Sequence, residues 1–80
     1  MIRIDVQVDE RIEWVKITGD FFLHPEETLD QIEGCLLHAR LPLDTSKLTR
    51  CISECLRDNQ AELIGATPED FVAILAEAVQ

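Results

Sequence analysis

Ile17-Thr18-Gly19-Asp20-Phe21-Phe22-Leu23-His24-Pro25-Glu26-Glu27 is the stretch where strand-like sequence gives way to helix-like sequence. It holds two of the chain's three phenylalanines side by side, next to a glycine that permits backbone angles closed to other residues. Upstream, Ile2, Ile4, Val6 and Val8 alternate with Arg3, Asp5 and Gln7, the period of a strand with one buried face. After an Asp9-Glu10-Arg11 turn, Ile12 to Thr18 predicts a second, antiparallel strand. Its alternation puts Val15 and Ile17 on one face and Ile12, Trp14 and Lys16 on the other, with Trp14 covering an edge. Phe21 to Leu23 adds a short third strand after the Gly19-Asp20 bend. A sheet this small needs helices over one face.

Pro25 suits the first position of a helix, where its missing N–H is not needed, and Glu26 and Glu27 suit the positive end of the helix dipole. The first helix is therefore expected over Pro25 to Ala39. Leu29, Ile32, Leu36 and Ala39 form its inward stripe, with Leu37 at the border. Arg40-Leu41-Pro42 stops it. Asp44 caps a second helix, Thr45 to about Asn59, with Leu48, Cys51, Ile52, Cys55 and Leu56 inward. Residues 61 to 66 read as a linker holding a buried Leu63-Ile64 pair. Thr67 then caps a third helix with Pro68 in its first turn and Phe71, Ile74, Leu75, Ala78 and Val79 as its apolar stripe. The expected fold class is α+β: a small antiparallel sheet of two or three strands, then three helices packed on one face. With no repeat or internal boundary, residues 1–80 read as a single domain.

Sixteen acids against seven bases give a formal charge of −9, which repels phosphate backbones and anionic lipid and argues against nucleic acid as a partner. A basic surface on another protein is the complementary choice. No apolar run approaches the roughly 20 residues that span a bilayer, and Met1-Ile2-Arg3-Ile4-Asp5 is not a secretory segment. These features place the chain in the cytoplasm, with no membrane partner and with Cys35, Cys51 and Cys55 as reduced thiols.

Cys35 and His38 on the first helix, with Cys51 and Cys55 on the second, have the spacing of four soft metal ligands. The helical projection opposes that reading, since Cys51 and Cys55 fall in the apolar stripe while His38 points away from Leu29 and Leu36. Packing as small hydrophobes is expected, with no metal site. Cys35 flanks its helix stripe, the only thiol whose position leaves exposure open, and neither His24 nor His38 is placed to act as its base. The acidic pairs Asp9-Glu10, Glu26-Glu27 and Glu69-Asp70 sit in turns or first helical turns, where the backbone itself favours them. Gly19, Gly34 and Gly65 are isolated and make no phosphate loop. No catalytic residue is expected. In the Gly19-Asp20-Phe21-Phe22 turn, one phenylalanine enters the core, and alternation sends the other to the opposite face as a contact surface.

Ile17 to Glu27 resembles the "ITGDFF-x-P-E" run of the C-terminal accessory domain of bacterial and archaeal lipoate-protein ligases. Ile64-Gly65-Ala66-Thr67-Pro68-Glu69-Asp70-Phe71 is similar to that family's entry to its last helix, and Leu29-Asp30-Gln31-Ile32-Glu33 to its "L-x-x-I/L-E" helix. The resemblance covers most of the chain. It implies a small sheet covered by helices, akin to sulfur-transfer scaffold proteins. It also implies a non-catalytic accessory subunit or domain that supports ATP-dependent lipoate activation by a catalytic unit, which passes the lipoyl group to a carrier protein. Lipoate and ATP are then used by that partner, and no cofactor binds this chain directly. Family members commonly carry a glycine- and lysine-containing lead-in before the first strand, whereas here the strand opens at Ile2. A chain of 80 residues opening on methionine looks like the form made as a separate polypeptide. The expected docking residues are Thr18, Gly19, Asp20, Phe21 and Phe22, with Trp14 as a further candidate. Two rival readings are a metal or sulfur carrier using Cys35, Cys51 and Cys55, and a generic acidic interaction module.

Overall fold

The computed structural model describes residues 1–79. β1 (Ile2–Val8) and β2 (Ile12–Gly19) form an antiparallel hairpin in which Ile4 faces Ile17 and Val6 faces Val15 on the inner side. Asp5 opposite Lys16 and Gln7 opposite Trp14 occupy the outer side. The alternation fails at one place. Gln7 pairs with Trp14 but Val8 pairs with Ile12, so β2 carries an extra residue at Glu13. Such a bulge reverses the phase of the side chains beyond it, and Ile12, expected beside Trp14 on the outer face, is instead fully buried. Its backbone is fastened as well, donating from N to the Ala39 carbonyl at 2.9 Å and accepting from His38 N at 2.7 Å.

β2 ends where Gly19 takes φ 150°, with its missing side chain leaving room for the Met1 carbonyl. Asp20 N donates to that carbonyl at 2.7 Å, tying the chain's first residue to the bend. Beyond it, β3 (Phe22–His24) pairs with β4 (Glu62–Ile64), in the register Phe22 with Ile64, Leu23 with Leu63 and His24 with Glu62. The structure therefore has two separate two-stranded sheets, and the expected linker over residues 61 to 66 is partly a strand. Alternation splits its apolar pair, leaving Leu63 half-buried and Ile64 exposed where both were expected inside.

α1 (Thr28–Leu36) is shorter than Pro25 to Ala39. Pro25, Glu26 and Glu27 instead form tight turns, their carbonyls accepting from Thr28, Leu29 and Asp30 at 3.0–3.2 Å. The other end stops early because His38 adopts a left-handed φ of 68° before the proline is reached. α2 (Thr45–Asp58) starts as expected, with the Asp44 carboxylate accepting from Lys47 N at 3.1 Å. α3 (Pro68–Ala78) has a full capping box: Asp70 N donates to Thr67 Oγ1, and the Asp70 carboxylate accepts from Thr67 N. Its stripe is rotated slightly from the expected one, burying Val72 with Phe71 and Leu75 while Ala78 stays outside.

α1 and α3 lie against the long hairpin, and α2 packs across both helices. The result is an α+β fold with helices over one side of small antiparallel sheets. Ile4, Ile12 and Ile17 meet Ile32, Leu36, Ile52, Phe71 and Leu75 in one core. Thr28 is the polar residue sealed inside it, and its Oγ1 has no hydrogen-bond partner among the described residues. Cys35 and Cys51 are joined by a disulfide between α1 and α2, their Cα atoms 6.0 Å apart, which corrects the expectation of three reduced thiols. A helical projection gives each helix its own stripe but not the rotation of one helix against the next.

Candidate functional site

The short ladder places the most exposed apolar side chains of the paired strands. Phe22 and Ile64 are direct cross-strand partners on its outward face, 51% and 57% exposed. Exposed neighbours of this size on one face of a ladder form an apolar contact patch. His24 extends the patch, its ring stacked near-parallel on Phe22 with centroids 6.4 Å apart. The adjacent Phe21 does the opposite. It turns inward and meets Phe71 edge-on, with ring centroids 5.4 Å apart, which anchors the bend to α3.

Beside this patch lies an open groove of about 770 Å³. Thr18, Gly19, Phe21 and Phe22 line one part of it, and Glu26, Glu27 and Asp30 make its rim acidic. Its floor is held in place by Glu33 of α1, whose carboxylate accepts from Ile17 N at 2.8 Å. That bond bridges β2 and α1 directly behind the bend, and it was not among the sequence expectations. A carboxylate inside the "L-x-x-I/L-E" segment, at the point where helix and strand must meet, was its only signal.

Of the expected docking residues, Thr18, Gly19, Phe21 and Phe22 come together at the groove. Asp20 is exposed at the bend but does not line it, and its backbone serves the Met1 tie. Trp14 is separated from the others. It stands on the outer face of the long hairpin opposite Gln7, 46% exposed, and does not line the groove. Ile64 is the docking candidate that the sequence reading missed, because its outward direction depends on pairing with β3.

No nucleophile with an adjacent base is assembled among the described residues. Cys55 is the free thiol, and burial first, then the nearby Asp58 and Glu54 carboxylates, push its pKa above the ordinary thiol value, so it stays protonated near neutral pH. Its sulfur lies 3.4 Å from that of Cys35, and with Cys51 the three cysteines form one cluster. His38 is not part of that cluster, so the four-ligand arrangement considered from spacing is not formed. No described helix is long and apolar enough to cross a membrane.

Two of the stretches that carry the sequence resemblance, Ile17 to Glu27 and Ile64 to Phe71, meet here through the β3–β4 pairing and the Phe21–Phe71 contact. No protein-family model matches the chain. The curated protein "Lipoate-protein ligase A subunit 2" of Thermoplasma acidophilum is 32% identical over 79 residues, spanning 94% of this chain and 76% of that protein. The chain belongs to the lipoate-protein ligase A subunit 2 family. A solved chain from the bi-partite lipoate protein ligase and E2 lipoyl domain of the same archaeon matches its fold with a TM-score of 0.71. That match has 29% sequence identity and covers 92% of this chain and 80% of the other. The lipoate-protein ligase resemblance and the α+β architecture read from the sequence both hold.

Proposed function

We propose that this chain, acting as one domain over residues 1–80, is the non-catalytic accessory subunit of a bipartite lipoate-protein ligase. It docks on a catalytic subunit and makes that subunit competent for ATP-dependent lipoate activation, the step that precedes transfer of the lipoyl group to a carrier protein. Lipoate and ATP are used on the catalytic partner, in the cytoplasm. The observation that carries this reading is the relationship to the archaeal subunit along nearly the whole chain, including both motifs that build the exposed ladder. The absence of an assembled nucleophile among the described residues is compatible with it.

The docking surface is assigned to Phe22 and Ile64, with Thr18, Gly19, Asp20 and Phe21 shaping the bend behind them. Central aromatic and aliphatic side chains of this kind supply most of the affinity in a protein interface, and the acidic rim sets orientation against a basic partner face. Trp14 is assigned a separate, secondary contact, because it lies on the other ladder.

The test is to mix the chain with its catalytic partner and follow lipoate-dependent pyrophosphate release. The rate is expected to rise on addition of the chain, and equal rates with and without it would sink the proposal. A Phe22→Ala chain is expected to bind the partner roughly 30-fold more weakly, in keeping with loss of about 2 kcal/mol at a central contact. Unchanged affinity would move the docking surface elsewhere.

A further inference from the structure

The cysteine cluster is not explained by the docking role. Cys35 lies in the last turn of α1, and Cys51 and Cys55 are one helical turn apart on the facing side of α2. Their three sulfur atoms lie within 4.8 Å of one another, and all three residues are half-buried. Two of the sulfurs form the disulfide and the third rests 3.4 Å from Cys35 Sγ. Packing alone needs no such convergence: the surrounding core is filled by Leu36, Leu48 and Ile52, and the sulfurs meet at its margin rather than at its centre.

We propose that, in the reduced chain, Cys35, Cys51 and Cys55 form a trigonal thiolate site for a soft monovalent cation, copper(I). Three sulfurs about 2.3 Å from a shared ion stand about 4 Å apart, and sulfurs already within 4.8 Å of one another reach that spacing by a small outward movement once the Cys35–Cys51 bond is opened. The number and kind of donors select the ion. Thiolates alone favour copper(I), whereas structural zinc is almost always closed by four protein ligands, and no fourth His, Cys, Asp or Glu joins this cluster among the described residues. Two helices supply the donors, one pair spaced i to i+4, so the site is fixed by secondary structure rather than by a loop.

Formation of the site begins with reduction. A dithiol donates two electrons and two protons to the Cys35–Cys51 bond and becomes a disulfide itself, leaving three thiols on the protein. Copper(I) then binds without changing oxidation state, as three sulfur–copper bonds form and three protons pass to the solvent. Exchange with a small-molecule disulfide, which takes up two electrons and two protons to become two thiols, re-forms the Cys35–Cys51 bond and removes two of the three donors, so metal retention is coupled to thiol redox state.

The experiment is anaerobic titration of the dithiol-reduced, desalted protein with copper(I) held by a competing chelator, followed by the sulfur-to-copper charge-transfer absorption in the ultraviolet. X-ray absorption then counts the metal's neighbours. One copper per chain with three sulfur neighbours is expected. Cys55→Ser is expected to weaken binding by about 100-fold or more, since even outer-shell changes at metal sites cost 10–100-fold. Cys55 takes no part in the disulfide, so the oxidised variant is a control for folding by its melting curve, and Cys55→Ala serves if the serine variant unfolds. Two sulfur neighbours, unchanged affinity in either Cys55 variant, or preferential uptake of zinc from a mixture of both ions would overturn the assignment. None of these readouts depends on the ligase partner, so the result stands or falls apart from the accessory role.

Discussion

The long hairpin turns one face inward, with Ile4 on Ile17 buried and Val6 on Val15 half-buried beneath the helices, whereas the short ladder turns Phe22 and Ile64 toward solvent. Both ladders follow the same alternation rule, yet they end in opposite uses. In β1–β2 the inward residues are continuous with the main core, and the outward ones are mostly polar. In β3–β4 only Leu23 and Leu63 point inward, and of the two outward pairs Phe22 with Ile64 is as apolar as the inward one, while His24 with Glu62 is polar. Hydrophobicity that folding does not consume is available for association, and this is the basis on which the docking surface is proposed at the short ladder. The long hairpin supports the fold that holds it in place.

Truncating the long hairpin is the most direct way to break this contrast. Ile12→Ala removes a fully buried side chain at the bulge and is expected to cost about 2–5 kcal/mol in urea unfolding. An 80-residue chain holds about 4–12 kcal/mol in total, so the variant should be close to its folding limit. Next in size is reduction of Cys35–Cys51, which fastens α1 to α2 and belongs to neither ladder. The cysteines are 16 apart in sequence, and opening a loop of that length is expected to cost about 3 kcal/mol, read as a lower urea midpoint in the presence of a dithiol.

A gain is expected at Thr28. Its sealed, unpartnered hydroxyl lies just after β3, and Thr28→Val replaces it with an apolar group of the same shape, raising stability by about 1 kcal/mol. The smallest effect sharpens the comparison most. Phe22→Ala should change unfolding free energy by no more than about 0.5 kcal/mol, because its ring is half in water, while the proposed docking role predicts that the same variant loses partner affinity. A stability loss as large as that of Ile12→Ala would show that the short ladder is core after all.

The sequence made the regular parts legible for local reasons. Ile2 to Val8 could be read from alternation alone, and Asp44, Thr67 and Pro68 marked two helix starts because capping is settled within one turn of chain. The opposite directions of Phe21 and Phe22 were legible, since adjacent aromatics on an extended backbone must diverge. What escaped depended on partners far along the chain. Ile12 is inside because of a bulge, which alternation cannot anticipate, and Ile64 is outside because β4 exists only through its pairing with β3. The α1 start was misplaced since Pro25 suits a tight turn as well as a first helical turn. The disulfide escaped for the same reason as Ile64: it depends on how two helices face each other.

The hydrogen bond from Asp20 N to the Met1 carbonyl has a practical consequence for handling this protein. It holds the start of the chain at the bend, two positions before Phe22, so any peptide fused ahead of Met1 leaves the globule next to the surface assigned to the partner. A purification handle placed there would shield the patch it was meant to help study, and a cleavable one makes its own control: binding measured before and after removal reports how close the amino terminus lies to the interface.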